Sequence, residues 1–294
     1  MKHLIVNGDD FGLTDGVNAG IIRAYREGIL RSASLMANGP AFREAVDLAR
    51  QYPGLDIGCH LVLVDGLPIS PPECIPSLVQ PDGHLPRTVR HLLMGMLTGR
   101  IRKSDLFTEA RAQVARLLTA GIEPSHLDTH KHTHLFPPVL DVVVGVAVEF
   151  GIRWIRCPYE PLGELLGRGE GPQDRRALAA ALAGFGRGLF ERKLRQHGLR
   201  APDRLSGFRL TGALTPQHLR RIIERLPEGI TELVCHPGIY TSALDAIPTR
   251  LKRQREHELH ALVAPDVPQA VTQAGAHLCS FRDVETAHEC LPVE

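Results

Sequence analysis

The 294-residue sequence has little of what several protein classes require. No apolar stretch approaches the length of a membrane span, so we expect no transmembrane helix. Aromatic residues make up only 5% of the chain, and the net charge is +1. These values argue against a platform for stacking bases and against a broadly basic surface. We therefore predict no nucleic-acid partner.

Six cysteines are present, but no two of them form a Cys-x-x-Cys pair. That absence excludes a zinc ribbon and a thioredoxin motif. We expect buried free thiols, which suit a reducing cytoplasm. The first apolar run is far too short for a signal peptide, so the sequence predicts a cytoplasmic protein.

Short apolar segments alternate with amphipathic ones along the chain. Repeated β–α units imply a parallel sheet covered by helices, and about seven strands favour barrel-like closure over an open sheet. We expect one domain over 1–294, with inserted segments at about 64–103 and 158–205 near the pocket. Strands are predicted at 3–8, 32–37, 55–63, 125–129, 153–157, 230–235 and 276–281. Helices are predicted at 16–26, 41–52, 104–120, 137–150, 175–200, 215–226 and 250–264.

A run of histidines coincides with one predicted strand: His126, His130, His132 and His134 lie within nine residues. In an extended segment His126, Asp128 and His130 share one face. The carboxyl end of a strand is where α/β proteins build active sites. The alternative is a polar loop or a surface metal trap.

Three other segments carry reactive side chains at strand ends. Asp9 and Asp10 follow the first predicted strand, and adjacent carboxylates repel each other unless a cation is near. A divalent metal would bind one and leave the other free to move protons; the alternative is a helix N-cap. His60 lies within an apolar strand, where a satisfied core histidine is the alternative. His236 ends another strand before Pro-Gly and could donate a proton, with a metal ligand or a turn residue as alternatives.

One carboxylate and two imidazoles from three strands would leave open coordination positions. A hydrolytic metal site needs such a vacancy for water. This ligand set favours one Zn²⁺ ion, and Mg²⁺, Mn²⁺ or Co²⁺ are also compatible with it.

In their order, Asp9-Asp10, Gly58-Cys-His60, His126-Leu-Asp-Thr-His130 and His236-Pro-Gly resemble the motifs of the YdjC/ChbG-type carbohydrate deacetylases. The likeness extends to the last predicted strand. It implies a distorted TIM-like (β/α) barrel and one divalent metal. It also implies removal of an N-acetyl group from sugars such as chitooligosaccharides.

The same resemblance implies a role for each matching residue. Asp10, His60 and His130 would bind the metal. Asp9 would be the general base and His236 the general acid, while Arg156 looks like the arginine that orients the base. His132 and His134 receive no role from the resemblance and are candidates for groups behind the ligands or on the surface.

Residues 7–12, 36–40, 126–132 and 154–160 look most like the hopanoid-biosynthesis-associated, HpnK-type members of that family. That likeness implies an N-acetylglucosaminyl hopanoid as substrate. Soluble chitooligosaccharides are the alternative. A phosphoesterase would need a second ligand set, which the sequence lacks, and a non-catalytic metal- or sugar-binding protein would not need the free carboxylate of Asp9.

Two basic segments bear on where such a substrate is found. Residues 87–103 carry five cationic side chains and no acid around an apolar centre, and 175–200 is similar. This composition is typical of an interfacial helix, so we predict peripheral contact with the inner face of the membrane. The alternative is two amphipathic helices packed on the barrel with solvated basic faces. The sequence leaves the oligomeric state open.

Overall fold

The structure is a computed structural model that describes residues 1–160 and 186–289. Within these residues, eight strands form one parallel sheet: β1 (Lys2–Phe11), β2 (Ser32–Leu35), β3 (Asp56–Leu61), β4 (His126–Thr129), β5 (Trp154–Ile155), β6 (Arg204–Ser206), β7 (Gly229–Cys235) and β8 (Ala276–Cys279). The helices are α1 (Asp15–Glu27), α2 (Phe42–Gln51), α3 (Val89–Leu97), α4 (Lys103–Thr119), α5 (Pro137–Phe150), α6 (described over 186–196), α7 (Pro216–Glu224), α8 (Gln254–Leu262), α9 (Val267–Gln273) and α10 (Phe281–Glu289). The α/β class is confirmed.

The sheet curls into a distorted, TIM-like half-barrel. Its strand order is β5-β4-β3-β2-β1-β7-β6, and β8 pairs with β1. At one edge, the Ile155 N–H of β5 donates to the Arg200 carbonyl at 2.9 Å, although β5 and β6 themselves are not paired. The prediction of about seven strands omits β6, which is only three residues long.

The strand β1 divides its side chains between two environments. Leu4 and Val6 join the main core, whereas Ile5 packs with Trp154 and Phe281 in a second apolar cluster. Because side chains alternate along a strand, Asn7 and Asp9 follow Ile5 onto the same face. The barrel interior is therefore apolar near the amino ends of the strands and polar near their carboxyl ends.

Helix α5 shows how closely local sequence can determine an element. Proline occupies its first turn, where a missing N–H costs nothing, and Gly151 ends it with φ 68°. The predicted range 137–150 is correct. The sequence pattern does not predict helices α9 and α10, and the predicted helix 175–200 lies partly outside the described residues.

The basic segment 87–103 is not one helix, because α3 ends at Leu97 and α4 begins at Lys103. Leu92 and Ile101 are buried in the main core, so this segment packs onto the barrel. None of the described helices has the length and apolar character needed to cross a membrane.

The cysteine prediction holds for four of the five described thiols. Cys59, Cys157, Cys235 and Cys279 are free and buried. Cys74 is exposed, because it lies at the end of a surface 3-10 turn.

Candidate active site

Several strands deliver the predicted site residues to one end of the sheet. Asp9 and Asp10 lie at the end of β1, His60 lies in β3, His130 directly follows β4, and His236 directly follows β7. Parallel neighbours end on the same side of a sheet, and active sites of barrels are built there. The structure thus brings the predicted ligands and proton-transfer groups together.

Asp10, His60 and His130 form a compact group of potential ligand atoms, and Asp9, His60 and Asp128 form a second group that shares His60. Arg156 already binds both carboxylates of the second group, so the first group is the candidate metal site. Asp10 Oδ1 lies 3.5 Å from His60 Nε2 and 3.2 Å from His130 Nδ1, and these two nitrogens are 3.3 Å apart. Ligands bound at about 2.0–2.1 Å to a tetrahedral ion are separated by about 3.3–3.4 Å. The buried Asp10 Oδ1 also has no hydrogen-bond partner among the described residues. This group therefore fits a small divalent ion.

The other oxygen of Asp10 is held by an arginine that the sequence did not indicate. Arg255 Nη2 donates to Asp10 Oδ2 at 2.5 Å, and both side chains are buried. Asp10 has φ 67°, a strained backbone conformation that is common at functional sites. Burial raises the pKa of Asp10, but Arg255, followed by His130 and His60, outweighs burial and holds the pKa well below its usual range.

His60 is held from behind by a second carboxylate, that of Asp128. His60 Nδ1 lies 2.8 Å from Asp128 Oδ1, which leaves Nε2 facing Asp10. This is the usual arrangement of a carboxylate behind a metal-binding histidine. Burial lowers the pKa of His60, but Asp128, Asp9 and Asp10 together raise it to about 9. A metal ion that bound His60 at neutral pH would therefore displace a proton from it.

Arg156 lies at the centre of three buried carboxylates. It donates to the two oxygens of Asp9 at 2.7 Å each and to Glu232 at 2.7 Å, and it pairs with Asp128 at 2.7 Å. The contact with Asp9 is the one expected of an arginine that orients the base. Burial lowers the pKa of Arg156, but the three carboxylates raise it well above its usual value. Burial raises the pKa of Glu232 to about 7 despite this arginine.

His236 approaches Asp9 from the end of β7, with Nε2 3.9 Å from Asp9 Oδ2. It lies outside the group of potential metal ligands. Burial lowers the pKa of His236, but Glu258, and then Asp9 and Asp10, raise it. The ring therefore keeps a proton to higher pH than a free imidazole does.

His126 is a buried structural group beneath the site. Its ring stacks on Phe281 with a centroid distance of 3.8 Å and shares the Ser34 hydroxyl with Asp128. Gly58 makes room for it, because a Cβ at that position would overlap the imidazole. Burial lowers the pKa of His126 to about 3, so the ring is neutral.

His132 and His134 are buried rather than exposed, so of the two locations that the sequence left open, the surface is wrong for both. His134 lies between the Thr129 hydroxyl and the Arg156 carbonyl, which bond its two ring nitrogens. His132 packs edge-on against Phe208 at a centroid distance of 4.4 Å. Burial lowers the pKa of both rings, to about 4 for His134. The polar run is thus an interior segment and not a surface metal trap.

The N-cap alternative for the aspartate pair is also wrong. Thr14 caps α1 by accepting a hydrogen bond from the Val17 N–H at 3.2 Å. The side chains of Asp9 and Asp10 are instead committed to Arg156 and Arg255.

Sequence reasoning gave no role to four residues that hold this site: Asp128, Glu232, Arg255 and Glu258. Two of them had a detectable signal. Asp128 shares the inward face of β4 with His126, and Glu232 is a charged residue within an otherwise apolar strand. Arg255 and Glu258 had none, because the polar composition of α8 resembles that of a solvated helix.

A largely apolar cavity of about 390 Å³ opens where loops leave the same end of the sheet. Leu13, Met36 and Val62 come from the segments after β1, β2 and β3, and Ile247 comes from the segment after β7. Asp65 also lines the cavity, and it pairs at 2.5 Å with Lys131, the residue after His130. The cavity therefore adjoins the ligand-bearing segments.

Comparison with known proteins gives consistent matches over nearly the whole chain. The model of a family described as YdjC-like protein matches residues 3–273. A carbohydrate deacetylase from Brevibacillus brevis is 32% identical over 96% of this chain and 99% of its own length. A chitooligosaccharide deacetylase from Serratia marcescens is 32% identical over the same shares. One solved structure also matches: an Enterococcus faecalis protein described as a cellobiose-phosphate cleavage protein, which is 24% identical. It superposes with a TM-score of 0.78 over 96% of this chain and 98% of its own, and this match supports the fold.

Proposed function

Because the chain belongs to the family of YdjC-like proteins, we propose that it is a metal-dependent carbohydrate N-deacetylase. It would hydrolyse the amide of an N-acetylglucosamine-containing substrate to a free amine and acetate. The observation that carries this proposal is the convergence of Asp10, His60 and His130 beside a separate carboxylate, Asp9. The relatives named as carbohydrate deacetylases support the same reaction.

The chain's own residues account for both proton transfers. Asp10, His60 and His130 would hold one divalent ion, which when bound polarises the amide carbonyl and acidifies water. Arg156 fixes both oxygens of Asp9, so this carboxylate is positioned to take a proton from the attacking water. His236 then supplies a proton from Nε2 to the departing amine. Zn²⁺ is the ion that these ligand types favour.

For the substrate we propose an N-acetylglucosaminyl hopanoid, with soluble chitooligosaccharides as the second candidate. The apolar lining of the cavity supports an apolar group attached to the sugar. Met94 and Leu97 on α3 are 50% and 79% exposed, which adds apolar surface on the nearby inserted segment. The Serratia marcescens relative favours the soluble substrate, because its name specifies chitooligosaccharides.

We propose that only part of the 87–103 segment contacts the membrane. Arg87 pairs with Asp82, Arg102 with Asp105, and Lys103 with Asp141, so three of the five cations are partly neutralised. Arg90 and Arg100 make no ion pair within the described residues. The exposed apolar side of α3 with these two arginines is therefore the surface that would touch anionic lipid.

Acetate release from a panel of soluble and lipid-linked N-acetyl sugars, together with metal analysis, tests the reaction. We expect acetate in proportion to bound metal. Metal without acetate from any substrate would favour a binding protein, and phosphate release from phosphoesters would favour a phosphoesterase. Faster turnover of the lipid-linked substrate supports the hopanoid proposal, whereas a preference for chitooligosaccharides contradicts it.

Sedimentation with anionic liposomes tests the membrane proposal. Binding should weaken with salt and with the double variant R90E/R100E, because both reduce electrostatic attraction. R26E/R43E is a control with the same change in net charge, since Arg26 on α1 and Arg43 on α2 are also exposed arginines. Absence of binding at low salt would refute membrane contact.

A further inference from the structure

Helix α8 carries two buried charges of opposite sign, Arg255 and Glu258, each 1% exposed. Arg255 contacts Asp10, as described above. Glu258 is fixed at both oxygens: Oε1 accepts the Gly212 N–H at 2.5 Å and Oε2 accepts the His236 N–H at 2.6 Å. These two bonds prevent the carboxylate from turning away from the end of β7.

The oxygen that accepts the His236 backbone N–H also faces the ring of the same residue. His236 Nδ1 lies 3.8 Å from Glu258 Oε2, while Nε2 lies 3.9 Å from Asp9 Oδ2 on the other side. The first distance is too long for a hydrogen bond but short enough for strong electrostatic attraction. Nδ1 is buried and has no hydrogen-bond partner within the described residues. A small rotation of the ring would complete this contact.

We propose that Glu258 is the positioning residue of the proton donor: its carboxylate holds the His236 ring with Nδ1 toward α8 and Nε2 toward Asp9. The inference rests on the proposed function, because it specifies which ring nitrogen of His236 gives the proton to the leaving amine. Glu258 touches neither the sugar nor the reacting amide and acts through His236.

The arrangement determines which ring nitrogen changes its protonation. During hydrolysis water adds to the acetyl carbon and loses a proton to Asp9. The bond between that carbon and the sugar nitrogen breaks, and the Nε2 proton of His236 joins the nitrogen. The neutral ring then retains its proton at Nδ1, beside the Glu258 carboxylate. The opposite tautomer would direct the Nδ1 lone pair at the Glu258 carboxylate. On the Nε2 side the charge of Asp9 is offset by Arg156, which binds both of its oxygens, so Glu258 decides the tautomer.

Several charged or titratable groups surround His236, and their positions separate the effect of Glu258 from the others. Asp9 lies on the Nε2 side of the ring, whereas Glu258 lies on the Nδ1 side. Both carboxylates favour the charged ring, and His236 in turn lowers the pKa of Glu258 against the effect of burial. Among the described residues, Asp10 on β1 and His132 in the turn after β4 also interact electrostatically with His236, and the Arg255 carbonyl on α8 accepts from the Gly238 N–H, two residues after His236.

The test compares E258Q with E256Q in the zinc-loaded protein. Glu256 is a matched control, because it lies on the same helix and accepts the Tyr240 N–H at 3.2 Å from the same segment after β7. The measurements are ¹⁵N NMR titration of the His236 ring, assigned with H236N, and the pH dependence of kcat for acetate release. E258Q should lower the His236 pKa by about one unit or more and shift the alkaline limb of kcat equally. E256Q should match the wild type, and both variants should keep stoichiometric zinc.

In the wild type, the neutral His236 ring should carry its proton on Nδ1. A proton on Nε2 overturns the proposal, and this result does not depend on the folding of any variant. An unshifted His236 titration in folded E258Q overturns it as well. If the NMR results agree with the proposal but no N-acetyl sugar releases acetate, the proposed function fails while the positioning of His236 stands.

Discussion

Substitution of Asp128 by asparagine tests whether the carboxylate behind His60 sets the metal affinity of the site. The Asp128 side chain is fully buried, lies 2.8 Å from His60 Nδ1, accepts from Ser34 at 2.9 Å and pairs with Arg156 at 2.7 Å. Asparagine has nearly the same volume but no charge. D128N therefore removes the electrostatic support of His60 without opening a cavity.

Two magnitudes follow from these contacts. Loss of the partner behind a metal-binding histidine lowers metal affinity by about 10–100-fold, or about 1.4–2.7 kcal/mol. Removing one partner of a buried ion pair costs about 3–5 kcal/mol when the other charge is left alone. Arg156 keeps Asp9 and Glu232 as partners, so we expect a loss in the free energy of unfolding at or below about 3 kcal/mol.

Metal affinity is measured by competition with a chelating dye, and stability by denaturant unfolding of the metal-free protein. D56N is the control, because Asp56 is a buried carboxylate at the opposite end of β3, where it binds Arg282 and Ser125 at 2.9 Å each. D56N should lose stability but keep wild-type metal affinity. A metal affinity of D128N within about twofold of the wild type would refute the reasoning, because the change would be far smaller than the expected loss of about 10–100-fold.

Four further predictions test other parts of the site. H130A should lose stoichiometric metal and activity together; full metal occupancy would show that His130 is not a ligand. D9N should keep its metal and lose turnover by a factor of about 10²–10⁴, whereas near-wild-type activity would place the base elsewhere. Because the pKa of His60 is raised to about 9, metal binding at pH 7 should release about one proton from this ring. The release should disappear as pH rises through 9. An indicator titration that finds no release at pH 7 contradicts this prediction. G58A should lower the free energy of unfolding by about 1–3 kcal/mol, because its Cβ would overlap His126, and an unchanged unfolding midpoint would show that the ring has room to move.

The sequence was informative where local chemistry and periodicity coincide. Asp10, His60 and His130 each lie at or near the end of a short apolar strand, and the rule that parallel strands end together was enough to predict their convergence. Helix α5 is predicted to the residue because its proline start and glycine end act locally. Strand β6 is missed, because three residues carry too little pattern.

The residues that hold the site from behind could not be predicted in the same way. Arg255 lies 245 positions after Asp10 in the sequence, and Glu258 lies 22 positions after His236. Neither belongs to a motif, and the first five residues of α8 are all polar, so nothing local distinguishes a buried charge there from a solvated one. Tertiary packing alone buries the two side chains. Charged residues on surface-like helices are therefore the positions at which sequence reasoning about such a site is weakest.

The pairing of β1 has a consequence for the order in which the chain folds. One edge of β1 is shared, because β8 pairs with residues 2–5 and β2 pairs with residues 7–11, while β7 covers the other edge. During synthesis β1 therefore stays partly unpaired until residues 229–235 and 276–279 have left the ribosome. At about 5–20 residues per second this delay is on the order of 10–50 s. Asp9 and Asp10 lie on this strand, so the site is assembled late, and the exposed β1 edge is the segment that a chaperone would have to protect.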